Sequence, residues 1–355
     1  MAARRGDTES VRRLLKSGVS IETRERQGPT VLAIAAEYGR ADTVRLLLEQ
    51  GADIATAGLD GDGAVVEAAR MGNVAKLKLL LERGADVRLK NEALLEAAAF
   101  SIATIETPAA GENAEEHQGP EDVPFPSLDR VQTATLLLEQ GADIESRRDG
   151  DGSTPVRLAA SHGNTSLVKA LLDKGARIEA TNDEGSTALM GSACGCAQAT
   201  MPDTIDSATL LLSRGANVHA KNKHGSTALM AAAGWGRTSL VQLLLDKGAR
   251  VNDRDSEGDT ALLVASSGAM ASAEVVGLLL ARGADVNARD NRGQTALMLA
   301  STSSTEEVAI VTLLLDRGAD VRARDTRGHS AMALAAKNRH TETVRLLQRA
   351  LAASP

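Results

Sequence analysis

Two cysteines stand one residue apart, Cys194-Gly-Cys196, and they are the only ones in the chain. A thiolate metal site would need two further ligands, and no Cys or His partner stands at a zinc-binding spacing. A dithiol redox couple usually has two intervening residues instead of one. The pair reads as structural, and a metal- or redox-active protein centred on it is the weakest functional reading. Asp60-Gly-Asp62-Gly and Asp149-Gly-Asp151-Gly resemble the opening of a calcium loop, which needs Gly at its sixth position and Glu at its twelfth. Val65 and Met71 fall there in the first run, Thr154 and Ala160 in the second, so both read as turns. The six histidines stand singly in segments that read as loops and turns, where they should be solvated. No phosphate-cradling Gly-x-x-x-x-Gly-Lys run and no Gly-x-Ser-x-Gly elbow is present. Catalytic residues, metal ligands and cofactors are therefore not expected.

Charge narrows the partner class. The chain of 355 residues has a formal net charge of −7. Residues 101–128 contain Glu106, Glu112, Glu115, Glu116, Glu121 and Asp122 with no Lys or Arg, which leaves about −1 for the rest. Broad nucleic-acid binding needs clustered positive charge and is not expected. No run of 18 apolar residues suggests a membrane span. The start, Met-Ala-Ala-Arg-Arg-Gly, lacks the apolar stretch of a secretory signal, so a cytoplasmic location is expected.

The elements that must position any site follow from a recurrence. Leucine clusters run toward Gly18, Gly51, Gly84, Gly141, Gly175, Gly215, Gly248, Gly283 and Gly318, spaced 33, 33, 57, 34, 40, 33, 35 and 35 residues apart. A tenth cluster, Leu346-Leu347-Gln348, has no such glycine. A period near 33 with insertions at one phase marks a solenoid of repeated units. Four aromatic residues (Tyr38, Phe100, Phe125, Trp235) are few for this length, which suits thin helical pairs filled by Leu, Val and Ala. Residues 152–175 show the unit most clearly. Thr154 should cap a helix that Pro155 opens, and Gly163 ends it. Leu167, Val168, Leu171 and Leu172 follow at helical spacing on a second helix, and Gly175 is placed for a left-handed cap.

On these motifs the chain resembles the ankyrin-repeat family. Gly293-Gln-Thr295-Ala-Leu297-Met-Leu-Ala300 and Leu313-Leu-Leu-Asp-Arg-Gly318-Ala-Asp-Val match its pattern closely. The resemblance covers nearly the whole chain and implies an all-α solenoid of helix-turn-helix units joined by hairpin-like loops. One departure stands out. The family often places His after its Thr-Pro-Leu start, where it bonds back to the Thr. Here that place holds Ala33, Val66, Leu95, Arg157, Met190, Met230, Leu263, Met298 and Ala333. Helix starts should therefore rely on Thr30, Thr187, Thr227, Thr260 and Thr295, each worth roughly 1 kcal/mol as a cap. Units three and four lack even the Thr and should be the weakest.

The expected organisation is a single array of about ten units over residues 1–355. They are an incomplete unit at 1–27, then 28–60, 61–90, 91–151 with an acidic, Pro-rich insertion at about 101–128, and 152–184. There follow 185–224 with a short insertion at about 194–206, 225–257, 258–292, 293–327 and a C-terminal cap at 328–355. Ala2-Ala3-Arg-Arg-Gly6 aligns with the end of a first helix, so a longer chain trimmed at its start, or a fraying first unit, is expected.

Residues at the loop tips vary while their frame does not, which is how a binding surface is built. The partner-binding candidates are Lys223, His224, Met230, Trp235, Glu257, Asp259, Arg292, Met298, Arg327 and His329. Arg289, Arg292, Arg322, Arg324, Arg327 and His329 should form a basic patch for an acidic partner surface. Met190, Met230 and Met298 should face the concave groove, where adaptable side chains suit recognition. Tyr38 and Trp235 fall at equivalent turns, and exposed rings of this kind anchor interfaces. The reading is a monomeric, non-enzymatic scaffold that binds a protein through its concave helix face and hairpin tips. The alternative is a regulatory or inhibitory binding protein whose acidic insertion acts in cis or as a recognition arm.

Overall fold

The computed structural model describes residues 1–24, 28–56, 63–99, 129–194, 204–267, 270–302 and 308–353. Twenty helices and no strand occur among them, giving an all-α repeat solenoid fold. The chain divides into two compact units, one from Met1 to Ala180 and the other taking in the described residues from Thr181 onward.

The helices come in pairs because each pair carries one apolar seam. In the second unit Ala228–Gly234 is followed by Thr238–Asp246, and Ala261–Ala265 by Ala273–Ala281. First helices are short and rich in Ala and Leu. Second helices bury a stripe such as Leu240, Val241 and Leu244. Leu47, Leu77, Leu80, Leu211 and Leu244 are wholly buried, each worth roughly 1.5–3 kcal/mol against exposure.

Local signals set the helix ends. Thr30, Thr187, Thr227, Thr260 and Thr295 each accept the amide of the third residue on, at 3.2–3.4 Å. Second helices are capped in the same way by Asn73, Asp129, Asn164 and Ser272. Gly175, at φ 97°, closes its helix with the Ala176 amide on the Leu171 carbonyl, the left-handed cap that glycine enters without cost. Gly163 does the same after the first helix, and Arg339 takes up that left-handed conformation (φ 61°) in the last pair.

Thr154 is a correction. Its hydroxyl is buried and makes no cap bond. Pro155 already fixes the first helical φ, and a side-chain cluster holds the approach to the helix instead. Asp151 accepts from Arg148 at 2.7 and 3.1 Å and from the Ser153 hydroxyl and amide, while Arg157 donates to the Ser153 hydroxyl at 2.7 Å. Burial alone would raise the Asp151 carboxyl, but these bonds outweigh it and hold it well below the usual carboxylate range. The Asp149–Asp151 run is thus a turn braced by arginine. Asp60 and Asp62 lie outside the described residues.

One connection departs from the pattern. Val87–Ala99 is a single 13-residue helix running through the place where other pairs are joined by a hairpin, so the division drawn after residue 90 falls inside it. Asp86 caps it, accepting the Leu89 amide at 2.8 Å. At corresponding places Asp143 and Asp285 turn the chain by accepting the amide two residues on. The missing Gly-Thr pair in this stretch removes the turn signal, and residues 87–99 continue as helix.

Candidate functional site

Five hairpins in the second unit are built alike. Asn182, Asn222, Asp255, Asp290 and Asp325 each use one side-chain oxygen to accept two backbone amides, from the residues two and four on. Asn and Asp favour such turns because their short side chains mimic a backbone carbonyl. Successive hairpins are zipped by backbone bonds. Lys223 donates to the Glu184 carbonyl, Ser256 to His224, Asn291 to Glu257 and Thr326 to Arg292, all at 2.8–2.9 Å. The tips are therefore a row in fixed register.

A second set of bonds sorts the basic residues into two kinds. Lys221 donates to the Arg254 carbonyl, Arg254 to the Arg289 carbonyl, and Arg289 to the Arg324 carbonyl. Arg324 donates to the Gly328 carbonyl at 2.8 Å. Arg289 and Arg324, expected in a basic patch, are thus ties from hairpin to hairpin or within one. Arg292 and Arg327 are exposed at the tips. His329 Nδ1 lies 3.1 Å from Asp325 Oδ2, and His224 Nε2 lies 2.9 Å from Glu184 Oε2. Lys223 and Glu257 are exposed, whereas Asp259 is half-buried.

Beside this row lies a groove of about 370 Å³ over the first helices. Met190 and Met230 form its floor, Ala231, Gly234 and Val264 one side, Cys194 and Trp235 the far end, and Ser186, Asn222 and Ser226 the hairpin end. Gly234 lets Val264 approach closely, since a Cβ there would sit 2.8 Å from Val264 Cγ1. Trp235 is 39 % exposed while Met190 and Met230 are 3 % exposed, so the ring is the accessible anchor and the methionines are the floor. Met298 is fully buried and takes no part, because its neighbours close over it. The structure thus brings Met230 and Trp235 together in the groove and sets Lys223, His224, Glu257, Asp259, Arg292, Arg327 and His329 along the hairpin row. Cys194 and Val264 were missed as groove residues, and only their register with Met230 and Ala231 could have indicated them.

Electrostatics single out Asp259. Burial, then the neighbouring carboxylates of Asp255, Asp290 and Glu257, push its carboxyl up to about 6, against a smaller opposing effect of Arg292. The histidines are not uniformly solvated, contrary to expectation. His162 is half-buried with Nδ1 2.8 Å from the Leu158 carbonyl, and burial lowers its pKa. His219 and His340 are also half-buried; His117 lies outside the described residues. In the first unit, Tyr38 carries the Arg4 guanidinium 4.6 Å from its ring centroid. Lys76 is buried there with Nζ 3.2 Å from the carbonyls of Glu37 and Gly39, and burial lowers it to about 8. The 101–128 insertion, Phe100, Phe125 and Cys196 lie outside the described residues. No group of three or more His, Cys, Asp or Glu that could hold a metal ion occurs among the described residues. No helix among them is long and apolar enough to cross a membrane.

Paired short helices, left-handed glycine stops and zipped hairpins define a helical repeat protein. The chain belongs to the ankyrin-repeat family, whose pattern of ankyrin repeats in three copies matches residues 1–91, 128–201, 196–290 and 269–354. Such repeats generally mediate protein–protein interaction, and the family is typically non-enzymatic. The chain is 47 % identical over 64 residues to Protein fem-1 homolog A of Danio rerio, covering 18 % of this chain and 10 % of that protein. It is 42 % identical over 64 residues to Protein fem-1 homolog A of Homo sapiens, covering 18 % and 9 %. An ankyrin repeat and KH domain-containing protein of Caenorhabditis briggsae is 42 % identical over 50 residues, covering 14 % and 2 %. The chain thus spans about a tenth or less of the length of these relatives.

Proposed function

We propose that this chain is a non-enzymatic scaffold that binds a protein partner through the groove and hairpin row of its second unit, as a monomer in the cytoplasm. The observation that carries the reading is Trp235, 39 % exposed at the end of a groove floored by buried methionines. A large ring left in water on a frame with few aromatics is the residue type that dominates interface energetics. The zipped tips support the same reading, since a partner that meets side chains already in register loses little entropy in ordering them. Asp255, Asp290 and Asp325 in the row are engaged in holding turns. Ten units in one array remain the organisation we favour.

The test is affinity capture with the intact chain beside a variant carrying Trp235→Ala, Arg292→Glu and Arg327→Glu. All three residues are exposed, so the fold should survive. Proteins retained by the natural chain should be lost from the variant; equal retention by both would overturn the reading.

A further inference from the structure

We propose that the groove of the second unit takes an extended peptide segment carrying one large apolar side chain and, about three or more residues away, a lysine or arginine that pairs with Asp259. This rests on the function proposed above and names the chemistry of the partner.

The apolar half follows from the groove. Its floor and sides are Met190, Met230, Ala231 and Val264, and Trp235 stands exposed at its end. A pocket of this composition offers no charged group to a ligand and favours an aromatic or long aliphatic side chain. Methionine floors adapt to either.

The cationic half follows from register. Ser226 lines the hairpin end of the groove, with its amide on Asn222 Oδ1. In the next hairpin Asp259 holds the identical place, with its amide on Asp255 Oδ1. The two hairpins are in contact, since a Cβ on Gly225 would lie 3.1 Å from Asp255 Cα. Asp259 also begins the turn into Ala261–Ala265, the helix that supplies Val264 to the groove. Asp259 therefore stands half-buried one helix pair on from the hairpin end of the groove. Its surroundings are anionic: Asp255, Glu257 and Asp290 face it, against Arg254 and Arg292. Arg254 is tied to the Arg289 carbonyl and Arg292 acts weakly from its exposed tip, and two cations against four carboxylates leave the cluster net negative. The charge complement is a cation brought by the ligand. One repeat step of about 10 Å, from Ser226 at the hairpin end of the groove to Asp259, corresponds to about three residues of extended chain, the least spacing expected.

The test is selection of a random linear-peptide library on the full-length chain, followed by affinity measurement of the selected peptides on three forms: natural, Trp235→Ala and Asp259→Asn. Selected peptides should share an apolar residue and a Lys or Arg about three or more positions apart. Asp259→Asn should weaken them about tenfold, and replacing their cation by glutamine should weaken them equally on the natural chain but not on Asp259→Asn. Peptides without a cation, or with affinity unchanged in Asp259→Asn, would overturn the pairing. If such peptides still depend on Trp235, the broader binding role survives. If nothing is selected, or selected peptides ignore both substitutions, the groove is not a peptide site and the inference falls. Thermal melting of both variants checks that lost binding is not lost fold.

Discussion

Asn252 grips the backbone around Asp285. Its Oδ1 accepts the Asp285 amide at 2.9 Å, and its Nδ2 donates to the Gly283 carbonyl at 3.0 Å. Asn287 repeats the arrangement one unit on, with the Asp320 amide and the Gly318 carbonyl at 2.8 and 3.2 Å. Each amide side chain thus joins two successive pairs through groups that would otherwise face water at the end of a helix.

Replacing Asn252 by Ala should cost about 1–2 kcal/mol, the net worth of two exposed hydrogen bonds. Urea unfolding of the variant should show a lower midpoint with an unchanged slope. An unshifted midpoint would mean that water replaces the amide without loss.

Arg289 and Arg292 are three residues apart and should behave differently. Arg289→Ala removes the bond to the Arg324 carbonyl and should cost about 1 kcal/mol. Arg292→Ala should stay within about 0.5 kcal/mol, as an exposed tip residue does. Paired thermal melts distinguish a tie from a free tip.

Arg339 adopts a left-handed backbone where Gly163 and Gly236 stand in other pairs. The Cβ of any L-residue is strained there. Arg339→Gly should therefore raise stability by about 0.5–1 kcal/mol, read as an upward shift in melting temperature, despite the greater freedom it gives the unfolded chain.

Asp259, raised to about 6 from an ordinary 3.8, binds a proton more readily in the fold than in the unfolded chain. The charged form is thus the destabilising one: its cost is absent below about pH 3.8, grows as pH rises through the window to 6, and is fully present above. Asp259→Asn should flatten this dependence and stabilise the protein at pH 7 by about 1 kcal/mol, allowing for solvent screening of a half-exposed group. Chemical denaturation at pH 4, 5.5 and 7 checks it.

Asp151 should show the opposite sign. The bonds from Arg148 and Ser153 depress its carboxyl, so its stabilisation is complete above the ordinary 3.8 and is lost as pH falls below it. Asp151→Asn should cost about 1 kcal/mol at pH 7, after discounting for exposure, and clearly less at pH 2. An equal deficit at both pH values would show that packing, not charge, holds this turn.

The parts legible in the sequence were those encoded within a few residues. A threonine that caps the third residue on, or a glycine that stops a leucine run, announces itself locally, and Thr227 and Gly175 do what their neighbours imply. Ties across a repeat were not legible. Arg289 reads as a surface charge because its acceptor, the Arg324 carbonyl, is 35 residues away and is reached only once the hairpins stack. Met298 and Met230 occupy the same place in the motif, yet of the two Met230 lines the groove, because that opening depends on Ala231, Gly234 and Val264 in two successive helix pairs. Thr154 failed as a cap because Pro155 and the Asp151 cluster had already settled the start of that helix.

Val87–Ala99 has a bearing on where recognition can occur. By carrying helix through residues at which a loop would otherwise project, it leaves the first unit with no finger at that step. A ligand reading one side chain per layer would meet a blank there. Between residues 182 and 329, by contrast, five consecutive layers each offer a finger of the same build.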